Sequence, residues 1–434
     1  MCGIVGVFDG VAGSQIDPAL IRRMADAIAH RGPDGDGFHI APGIGLGHRR
    51  LAIIDLSGGA QPMATADGQT VVVFNGEIYN FREVAAELAA HGCVFRTRSD
   101  TEVILEAYRV WGPSCVTRLS GMFAFALWDA TSQTLMLARD RIGKKPLYYR
   151  IEADRRIAFA SEIKALRVDP AFDRRLDPAA IEDFLGLGYV PDPRTIYAAV
   201  RKLPPAHTLV WRRGAQPEIR RYWALDLTET PVRSRAEAVD ELRARLKAAV
   251  AARLISDVPL GAFLSGGVDS SAVVSTMAGL ASAPVKTFTI GFGVADHDET
   301  GYARLIAEKY GTDHVEAFID PQSFAASHDM IDRLVGIYDE PFGDNSALPT
   351  LRVCAEARKK VTVALSGDGG DEAFAGYRRY LWHVREQQVR SLVPSAIRGP
   401  LFSALAAIYP SFDNAPRFLR AGTTLRELAM GSAG

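Results

Sequence analysis

Residues 259–271 read Pro-Leu-Gly-Ala-Phe-Leu-Ser-Gly-Gly-Val-Asp-Ser-Ser, and this stretch decides the fold of the C-terminal half. The apolar run Pro259–Leu264 predicts a buried strand, and the pattern that follows predicts a helix from about Ser271. The two glycines between them let the backbone approach an oxyanion, towards which the first N–H groups of a helix point. The stretch is not a Walker loop, because no Gly-Lys-Ser/Thr follows the glycines. Taken alone, it is as typical of a tight turn as of an anion site.

Strands and helices alternate on both sides of this stretch. A long amphipathic helix over Ala236–Leu254 precedes it, and apolar strands at Val285–Phe292, His314–Phe318 and Val361–Leu365 follow it. A helix over Glu299–Tyr310 separates two of these strands. Alternation of this kind predicts an α/β domain with a doubly wound parallel sheet.

A second glycine-rich loop follows the last of these strands. Residues 365–372 read Leu-Ser-Gly-Asp-Gly-Gly-Asp-Glu. Adjacent parallel strands would bring both loops to one carboxyl edge, where such sheets bind ligands. Asp269 and Asp371 are then candidate Mg²⁺ ligands, since a carboxylate cannot contact phosphate favourably itself. Ser366, Gly367 and Asp368 would face a nucleotide or an acceptor.

The first half has a different pattern, with short strands between turns. Val71–Phe74, Met122–Trp128 and Thr134–Ala138 are β-rich, and helices are predicted over Pro18–His30 and Phe81–His91. This mixture predicts an α+β domain of antiparallel sheets covered by helices. The pattern weakens near residue 211, so we expect a first domain over 1–210, a linker over 211–235 and a second domain over 236–434.

Composition excludes several classes of protein. The 50 basic and 51 acidic side chains nearly cancel, which argues against recruitment by nucleic acid or an anionic membrane. Four dispersed cysteines lack the close pairs of a zinc site, and free thiols favour a reducing cytosol. No apolar run approaches the ~20 residues of a membrane span. We therefore expect a soluble, cytoplasmic protein.

Cys2 is the residue with the most distinctive chemistry. Removal of Met1 would place a thiol and a free α-amine on one residue, and the amine could act as the base for the thiol. The alternative is a buried cysteine at the start of a strand, since Ile4, Val5 and Val7 alternate with glycines.

Four segments together carry residues capable of chemistry. They are Cys2-Gly3-Ile4-Val5-Gly6, residues 48–55 (His-Arg-Arg-Leu-Ala-Ile-Ile-Asp), residues 75–80 (Asn-Gly-Glu-Ile-Tyr-Asn) and Ser99-Asp100-Thr101-Glu102. In these segments the chain resembles the class II glutamine amidotransferases, whose domain is an N-terminal-nucleophile hydrolase with stacked antiparallel sheets between helix layers.

Each residue type suits the glutamine substrate. The Asn75 amide and the Gly76 N–H can donate to a tetrahedral oxyanion, Arg50 matches the glutamine carboxylate, and Asp100 matches its ammonium. The resemblance adds Glu77 and the backbone of Leu51, Ala52, Ile53 and Ile54 to the pocket. Alternatively, Asn75-Gly76 is a hairpin turn, Asp100 caps a helix that begins at Thr101, and Arg50 is an ordinary surface residue.

The loop at residues 264–271 resembles that of the ATP pyrophosphatases. This resemblance implies that Ser265, Gly266, Gly267 and Ser270 grip the pyrophosphate of ATP, and that Leu264 and Ile290 contact the adenine and ribose.

With the first half, the chain resembles glutamine-hydrolysing asparagine synthetase, and residues 189–193 and 338–342 look closest to a bacterial branch associated with exosortase and exopolysaccharide clusters. The family continues beyond residue 434 with a phosphate-binding Lys, so the resemblance implies a C-terminally truncated chain with an incomplete synthetase half.

The expected activity is ATP- and Mg²⁺-dependent amidation of an adenylated carboxylate, most simply aspartate, with glutamine as nitrogen donor. One alternative is a carboxylate on a sugar or another metabolite, and a second is a non-catalytic, ligand-binding assembly partner. The expected partners are these small molecules, without nucleic acid or membrane, and a homodimer is compatible with the resemblance.

Overall fold

The computed structural model describes residues 1–11, 14–152, 155–228, 234–291, 299–318 and 328–408. The chain divides into two compact units, residues 1–366 and 367–434. Three parts of the sequence-based predictions lie outside the described residues: the linker at 229–233, Phe292 at the end of a strand, and the C-terminal stretch 409–434.

Antiparallel strands dominate the first half of the first unit. The strands there are β1 (Gly3–Asp9), β2 (Gly35–Ala41), β3 (Ile44–Arg50), β4 (Met63–Ala64), β5 (Thr70–Ile78), β6 (Gly121–Asp129), β7 (Thr134–Arg139), β8 (Tyr148–Glu152), β9 (Arg156–Ala160), β10 (Arg201–Lys202), β11 (His207–Arg212) and β12 (Glu218–Arg221). They form two sheets, with strand orders β10-β8-β9-β1-β3-β2 and β12-β11-β7-β6-β5-β4.

Helices cover the outer faces of both sheets. These helices are α1 (Pro18–Asp26), α2 (Phe81–Ala90), α3 (Asp100–Trp111) and α4 (Ile163–Leu166), with 3₁₀ turns at Ala29–Arg31 and Gly112–Thr117; a further helix, α5 (Pro178–Leu187), follows them in the chain. Alternation along β1 sends Ile4 and Phe8 into the core between the sheets, and Val5 and Val7 into the core beneath α1 and α4. A third core joins the other face of the second sheet to α2 and α3. The predicted helix–sheet–sheet–helix layering is confirmed.

A parallel sheet follows within the same unit. Its strands are β13 (Leu260–Phe263), β14 (Lys286–Gly291), β15 (Asp313–Phe318) and β16 (Val363–Leu365), in the order β15-β14-β13-β16. The surrounding helices are α6 (Arg235–Ala252), α7 (Val268–Leu280), α8 (Thr300–Tyr310), α9 (His328–Ile337) and α10 (Ala347–Arg358).

Helices pack on both faces of this sheet. Ala262 and Leu264 belong to one core together with side chains of α7 and α8, while Phe288 packs on the other face against Ala357 of α10. Strand order reverses between β13 and β16, which is the topological switch point of the sheet. The predicted doubly wound parallel sheet is therefore confirmed.

The second unit is helical where it is described. It contains α11 (Gly370–Phe374), α12 (Arg378–Leu392) and α13 (Ser395–Ile408). No helix of the described residues is both long enough and apolar enough to cross a bilayer.

Two predicted boundaries are wrong. The linker was expected from residue 211, but β11 runs to Arg212 and pairs with β12, and Trp211 is fully buried in the core between the sheets. Polar residues around 213–217 form the turn of a hairpin, which sequence alone does not distinguish from a linker. The helix expected from about Ser271 begins at Val268, so that Asp269 and Ser270 lie in its first turn.

Candidate active site

A cavity of about 340 Å³ lies in the first unit beside the N-terminal ends of β1 and α3. Its lining residues are Met1, Cys2, Arg50, Leu51, Ile53, Ile54, Gly59, Gln61, Phe74, Asn75, Gly76, Glu77, Ser99, Asp100, Thr101, Met122, Lys145, Thr362, Val363 and Ala364. The structure thus brings together every residue predicted for the glutamine site except Ala52, which does not line the cavity. Its backbone N–H instead donates to Asp34 Oδ2 at 2.9 Å.

Cys2 lies just before β1, where that strand pairs with β3. The register places Gly3 opposite Arg49, so the thiol reaches the residue that follows β3. Leu51 N–H donates to Cys2 Sγ over 3.3 Å, and Sγ lies 3.5 Å from Leu51 O. Burial raises the pKa of the Cys2 thiol, although the hydrogen bond from Leu51 opposes this shift. The thiol therefore needs a base if it is to act as a nucleophile near neutral pH.

The amine of Met1 is buried and lies in the lining of the same cavity as the thiol. Burial lowers the pKa of the amine on Met1 to about 5, with nearby Arg31 and Lys145 contributing in the same direction. Arg31 Nε also donates to Cys2 O at 2.9 Å and so fixes the backbone of the cysteine. None of the cavity-lining residues in the described chain is a histidine.

Asn75 lies within β5, not in a turn. Residues 70–78 pair continuously with β6, with Asn75 opposite Ala124 and Gly76 opposite Phe123. The side chain of Asn75 is 1% exposed, and neither its Nδ2 nor its Oδ1 has a hydrogen-bond partner among the described residues. A buried unpaired amide is costly, so this group is free to donate to a ligand in the cavity. The hairpin-turn interpretation of Asn75-Gly76 is wrong.

Arg50 ends β3 and is held by the loop that follows it. Its Nη1 donates to Leu56 O at 2.9 Å and its Nη2 to Asp55 O at 2.7 Å. A Cβ on Gly59 would lie 2.7 Å from Arg50 Nη2, so a glycine lets the chain pass this close to the guanidinium. The planar cation is thereby fixed at the cavity wall by backbone carbonyls.

Asp100 is the first residue of α3 and is 5% exposed. Burial raises the pKa of Asp100 to about 7, against the opposing effect of a 3.0 Å hydrogen bond from Ile78 N–H. The alternative in which Asp100 caps the helix is wrong, because Ser99 is the cap and accepts from Thr101 N–H. Burial likewise raises the pKa of neighbouring Glu77. Both carboxylates gain from a cationic ligand group in the cavity.

Lys145 and Gln61 are among the cavity residues that sequence reasoning did not assign to the site. Lys145 is 5% exposed, and burial lowers its pKa to about 8 while Glu77 opposes that shift. Its Nζ lies 2.8 Å from the sulfur of Met1. Gln61 accepts from Phe74 N–H at 2.6 Å and donates to Thr101 Oγ1. Lys145 lies far from Cys2 in sequence, and no motif spacing connects the two residues.

The loop after β13 forms a second candidate site. Gly266 has φ +82, and a Cβ there would lie 2.5 Å from Ala303 N, so glycine is required on both counts. Ser265 Oγ and Ser270 Oγ are 2.9 Å apart, and Gly267 N–H donates to Ser265 Oγ. These bonds fold the loop over the N-terminal end of the 13-residue helix α7. Exposed backbone N–H groups at such an end suit a phosphate.

The strand order places the start of the second loop at the same edge. β16 pairs in parallel with β13, and Leu365 lies opposite Ala262. Ser366, the first residue after β16, therefore lies at the same edge of the sheet as Leu264, the first residue after β13. Leu264 is buried, and Ile290 lies in β14 half-buried. Gly367, Asp368 and Asp371 belong to the second unit, and Asp371 lies in α11.

The candidate metal ligands were tested on their donor chemistry. The described residues contain no group of three or more His, Cys, Asp or Glu that could hold an ion by themselves. Asp269 lies half-buried in the first turn of α7 and Asp371 in that of α11, so each offers a hard carboxylate at a helix start. One or two carboxylates shared with substrate phosphates are the usual protein ligands of Mg²⁺. Each carboxylate, taken by itself, is chemically compatible with that ion.

Comparisons with known proteins match both halves of the chain. A family described as a glutamine amidotransferase domain matches residues 1–223, and one described as asparagine synthase matches residues 241–431. Glutamine-hydrolysing asparagine synthetase 1 of Bacillus subtilis is 37% identical over 437 residues, covering 100% of this chain and 68% of the relative. A putative asparagine synthetase 2 of Methanocaldococcus jannaschii is 38% identical and covers 90% of this chain and 78% of the relative. A further relative, amidase chyE of Penicillium rubens, is 34% identical, covering 82% and 55%.

Proposed function

Because the chain belongs to the family of glutamine-hydrolysing asparagine synthetases, we propose that it is a ligase that transfers the amide nitrogen of glutamine to aspartate at the expense of ATP. The observation that supports this most directly is the single cavity shared by Cys2, Arg50, Asn75 and Asp100. We assign the glutaminase to the residues up to Arg221 and the synthetase to those from Arg235.

In the glutaminase, removal of Met1 frees the α-amine of Cys2. The amine takes the thiol proton, and Sγ attacks the amide carbon of glutamine to form a tetrahedral oxyanion. The unpaired Asn75 amide and the Gly76 N–H donate to this oxyanion. Collapse releases ammonia and leaves a thioester, which water hydrolyses to glutamate.

Recognition of free glutamine needs two opposite charges. Arg50 pairs with the α-carboxylate of glutamine and Asp100 with its α-ammonium. Hydrogen bonds to the protein backbone already hold both side chains in place. The ammonium of glutamine also offsets the unfavourable desolvation of an ionised, buried Asp100. Glu77 and Lys145 line the same cavity, and the charge of each favours the ionised form of the other.

In the synthetase, the loop at residues 265–270 holds the pyrophosphate of ATP, with Leu264 and Ile290 at the nucleoside. The aspartate carboxylate attacks the α-phosphate, which forms a β-aspartyl adenylate and releases pyrophosphate. Ammonia then displaces AMP to give asparagine. Asp269 of the first unit and Asp371 of the second are each proposed as a ligand for Mg²⁺, which would neutralise phosphate charge when bound. Ser366, Gly367 and Asp368 line the acceptor side in this proposal.

The glutamine cavity opens towards the parallel sheet. Thr362, Val363 and Ala364 at β16 form part of its wall, so ammonia released at Cys2 starts next to the strand that leads to the second loop. This arrangement supports transfer inside the protein, where ammonia avoids the protonation that it would undergo in water near neutral pH.

One assay tests the proposal. Purified protein is incubated with glutamine, MgATP and aspartate, and glutamate, asparagine, AMP and pyrophosphate are measured together. Equal amounts of the four products support it. If glutamate and AMP form together only when another carboxylate is supplied, that carboxylate, and not aspartate, is the acceptor. The similarity to a relative named as an amidase makes this outcome worth testing. Binding of glutamine or ATP without products would indicate the non-catalytic assembly partner.

A further inference from the structure

The loop over residues 51–59, here the glutamine loop, separates two cavities. Its inner side lines the glutamine cavity, and its outer side lines a second, larger cavity of about 1060 Å³. Ile54 contributes to both. A loop with open space behind it keeps its position only through the specific bonds that hold it, because no close-packed neighbour prevents its retreat.

Arg50 depends on this loop. The guanidinium donates to the carbonyls of Asp55 and Leu56, both within the loop, at 2.7 and 2.9 Å. Any displacement of those carbonyls therefore moves the cation that recognises the glutamine carboxylate. Asp55 itself has φ +50, a left-handed conformation that is strained for most residues and tolerated best by Gly, Asn and Asp.

Two sets of bonds hold Asp55 in that conformation. Its own carboxylate accepts from Gly58 N–H and Arg98 N–H, both at 2.8 Å. Its backbone N–H donates to Asp257 Oδ2 at 2.7 Å, and Asp257 N–H donates in turn to Ile53 O at 2.9 Å. The glutamine loop is thus pinned at both Ile53 and Asp55 by one residue that lies 202 positions from Asp55.

Asp257 belongs to the other half of the sequence. It lies between α6 and β13, three residues before the strand whose far end carries the loop at 265–270. We propose that Asp257 is a positioning residue for glutamine recognition: the synthetase half supplies the carboxylate that sets the glutamine loop, and through it Arg50. This inference rests on the proposed function, since it assigns a role within glutamine binding.

Steady-state glutamine hydrolysis by the full chain tests this role. Asp257→Ala removes the acceptor for Asp55 N–H, and we expect a KM for glutamine about three- to tenfold higher with kcat little changed, as suits the loss of one exposed hydrogen bond. The effect is limited because the backbone bond from Asp257 N–H to Ile53 O survives. Asp257→Asn keeps an acceptor oxygen and should stay within about twofold of the wild-type KM.

L-glutaminamide sharpens the test, because its neutral amide replaces the α-carboxylate that Arg50 binds. Ammonia release from this analogue should have the same KM in the wild type and in Asp257→Ala. A parallel rise with both substrates, or a loss of kcat alone, would overturn the positioning role in favour of general destabilisation. Asp313→Ala, at an exposed acid on β15 of the same sheet, is the matched control and should leave all values unchanged.

The failures of the two proposals are distinguishable. If the wild type releases no ammonia from glutamine, the proposed function falls and this inference falls with it. If the wild type is active and Asp257→Ala has the wild-type KM, this inference alone is wrong. Should Asp257→Ala fail to fold by circular dichroism, Asp257→Glu retains the charge but displaces the oxygen, and it should raise KM for glutamine and not for L-glutaminamide.

Discussion

The cavity at Cys2 and the loop at residues 265–270 belong to one unit but are built in opposite ways. The cavity takes side chains from the interior of antiparallel strands and a helix start, and Asn75 is 1% exposed. The loop lies at the open end of parallel strands, presents backbone N–H groups, and leaves Val268 86% exposed. Strand register fixes the first site before any substrate binds, whereas in the proposed function the second site would be completed by its ligand.

This difference predicts that glutamine hydrolysis will depend on single side chains far more than nucleotide binding does. The following four changes are ordered by their expected effect on glutamate release, from the largest to none.

Cys2→Ala should lower glutamate release by at least about 10⁴-fold, because it removes the nucleophile itself. Folding should be spared, since the hydrogen bonds of the thiol to the described residues involve the backbone of Leu51. Asparagine formation from added ammonium chloride and MgATP should persist, measured beside glutamate release. A protein with a tag that stays ahead of Cys2 should be equally inactive with glutamine, and native activity in that protein would exclude the α-amine as base.

Asn75→Ala should lower kcat for glutamate release by about 10²–10³-fold, because an oxyanion donor acts in the transition state. KM should change little, since the amide has no ground-state partner in the described residues. The single-turnover rate at saturating glutamine measures this directly. A rise in KM at constant kcat would instead place Asn75 in ground-state binding of glutamine.

Asp100→Asn should act chiefly on KM, by roughly 30- to 100-fold, or about 2–3 kcal/mol for loss of one member of a desolvated charge pair. Because burial raises the pKa of Asp100 to about 7, the wild-type carboxyl is increasingly neutral below pH 7 and cannot pair with the glutamine ammonium. KM for glutamine should therefore rise as pH falls from 8 to 6 in the wild type and stay flat in the variant.

The raised pKa of Asp100 also makes the stability of the free protein depend on pH, in the direction opposite to that of glutamine binding. A carboxyl whose folded pKa exceeds its unfolded value destabilises the free protein progressively as pH rises from about 4 to about 7. Asp100→Asn should then have a higher melting temperature than the wild type at pH 8 without glutamine, and the difference should vanish near pH 4. Equal melting temperatures at both pH values would show that Asp100 is not held as a costly anion.

Local pattern predicted the layers of the fold and most of the glutamine site. The β-rich runs at residues 71–74 and 122–128 were enough to predict β5 and β6, and the glycines at 266 and 267 to predict the loop. Prediction from local pattern failed where contacts with residues distant in the sequence determine the conformation or the site. Asn75-Gly76 is a turn dipeptide by local preference, yet nine residues of pairing with β6 keep it extended. Lys145 and Asp257 reach the glutamine site from positions that no spacing rule connects to Cys2 or Asp55.

Asp269→Asn should leave glutamate release unchanged within about twofold while it weakens the ATP-dependent step. The residue lies in the first turn of α7 and is not among those that line the glutamine cavity. The change removes one negative charge beside the phosphate-binding N–H groups, so nucleotide without Mg²⁺ should bind at least as well as to the wild type. Binding of MgATP should weaken, and AMP formation with it, because an amide is a poorer ligand for a hard cation.

Isothermal titration with ATP, with and without Mg²⁺, separates the two effects. A fall in both titrations would make Asp269 a structural residue of the loop, and a fall in glutamate release would show that the two sites are less independent than their construction indicates.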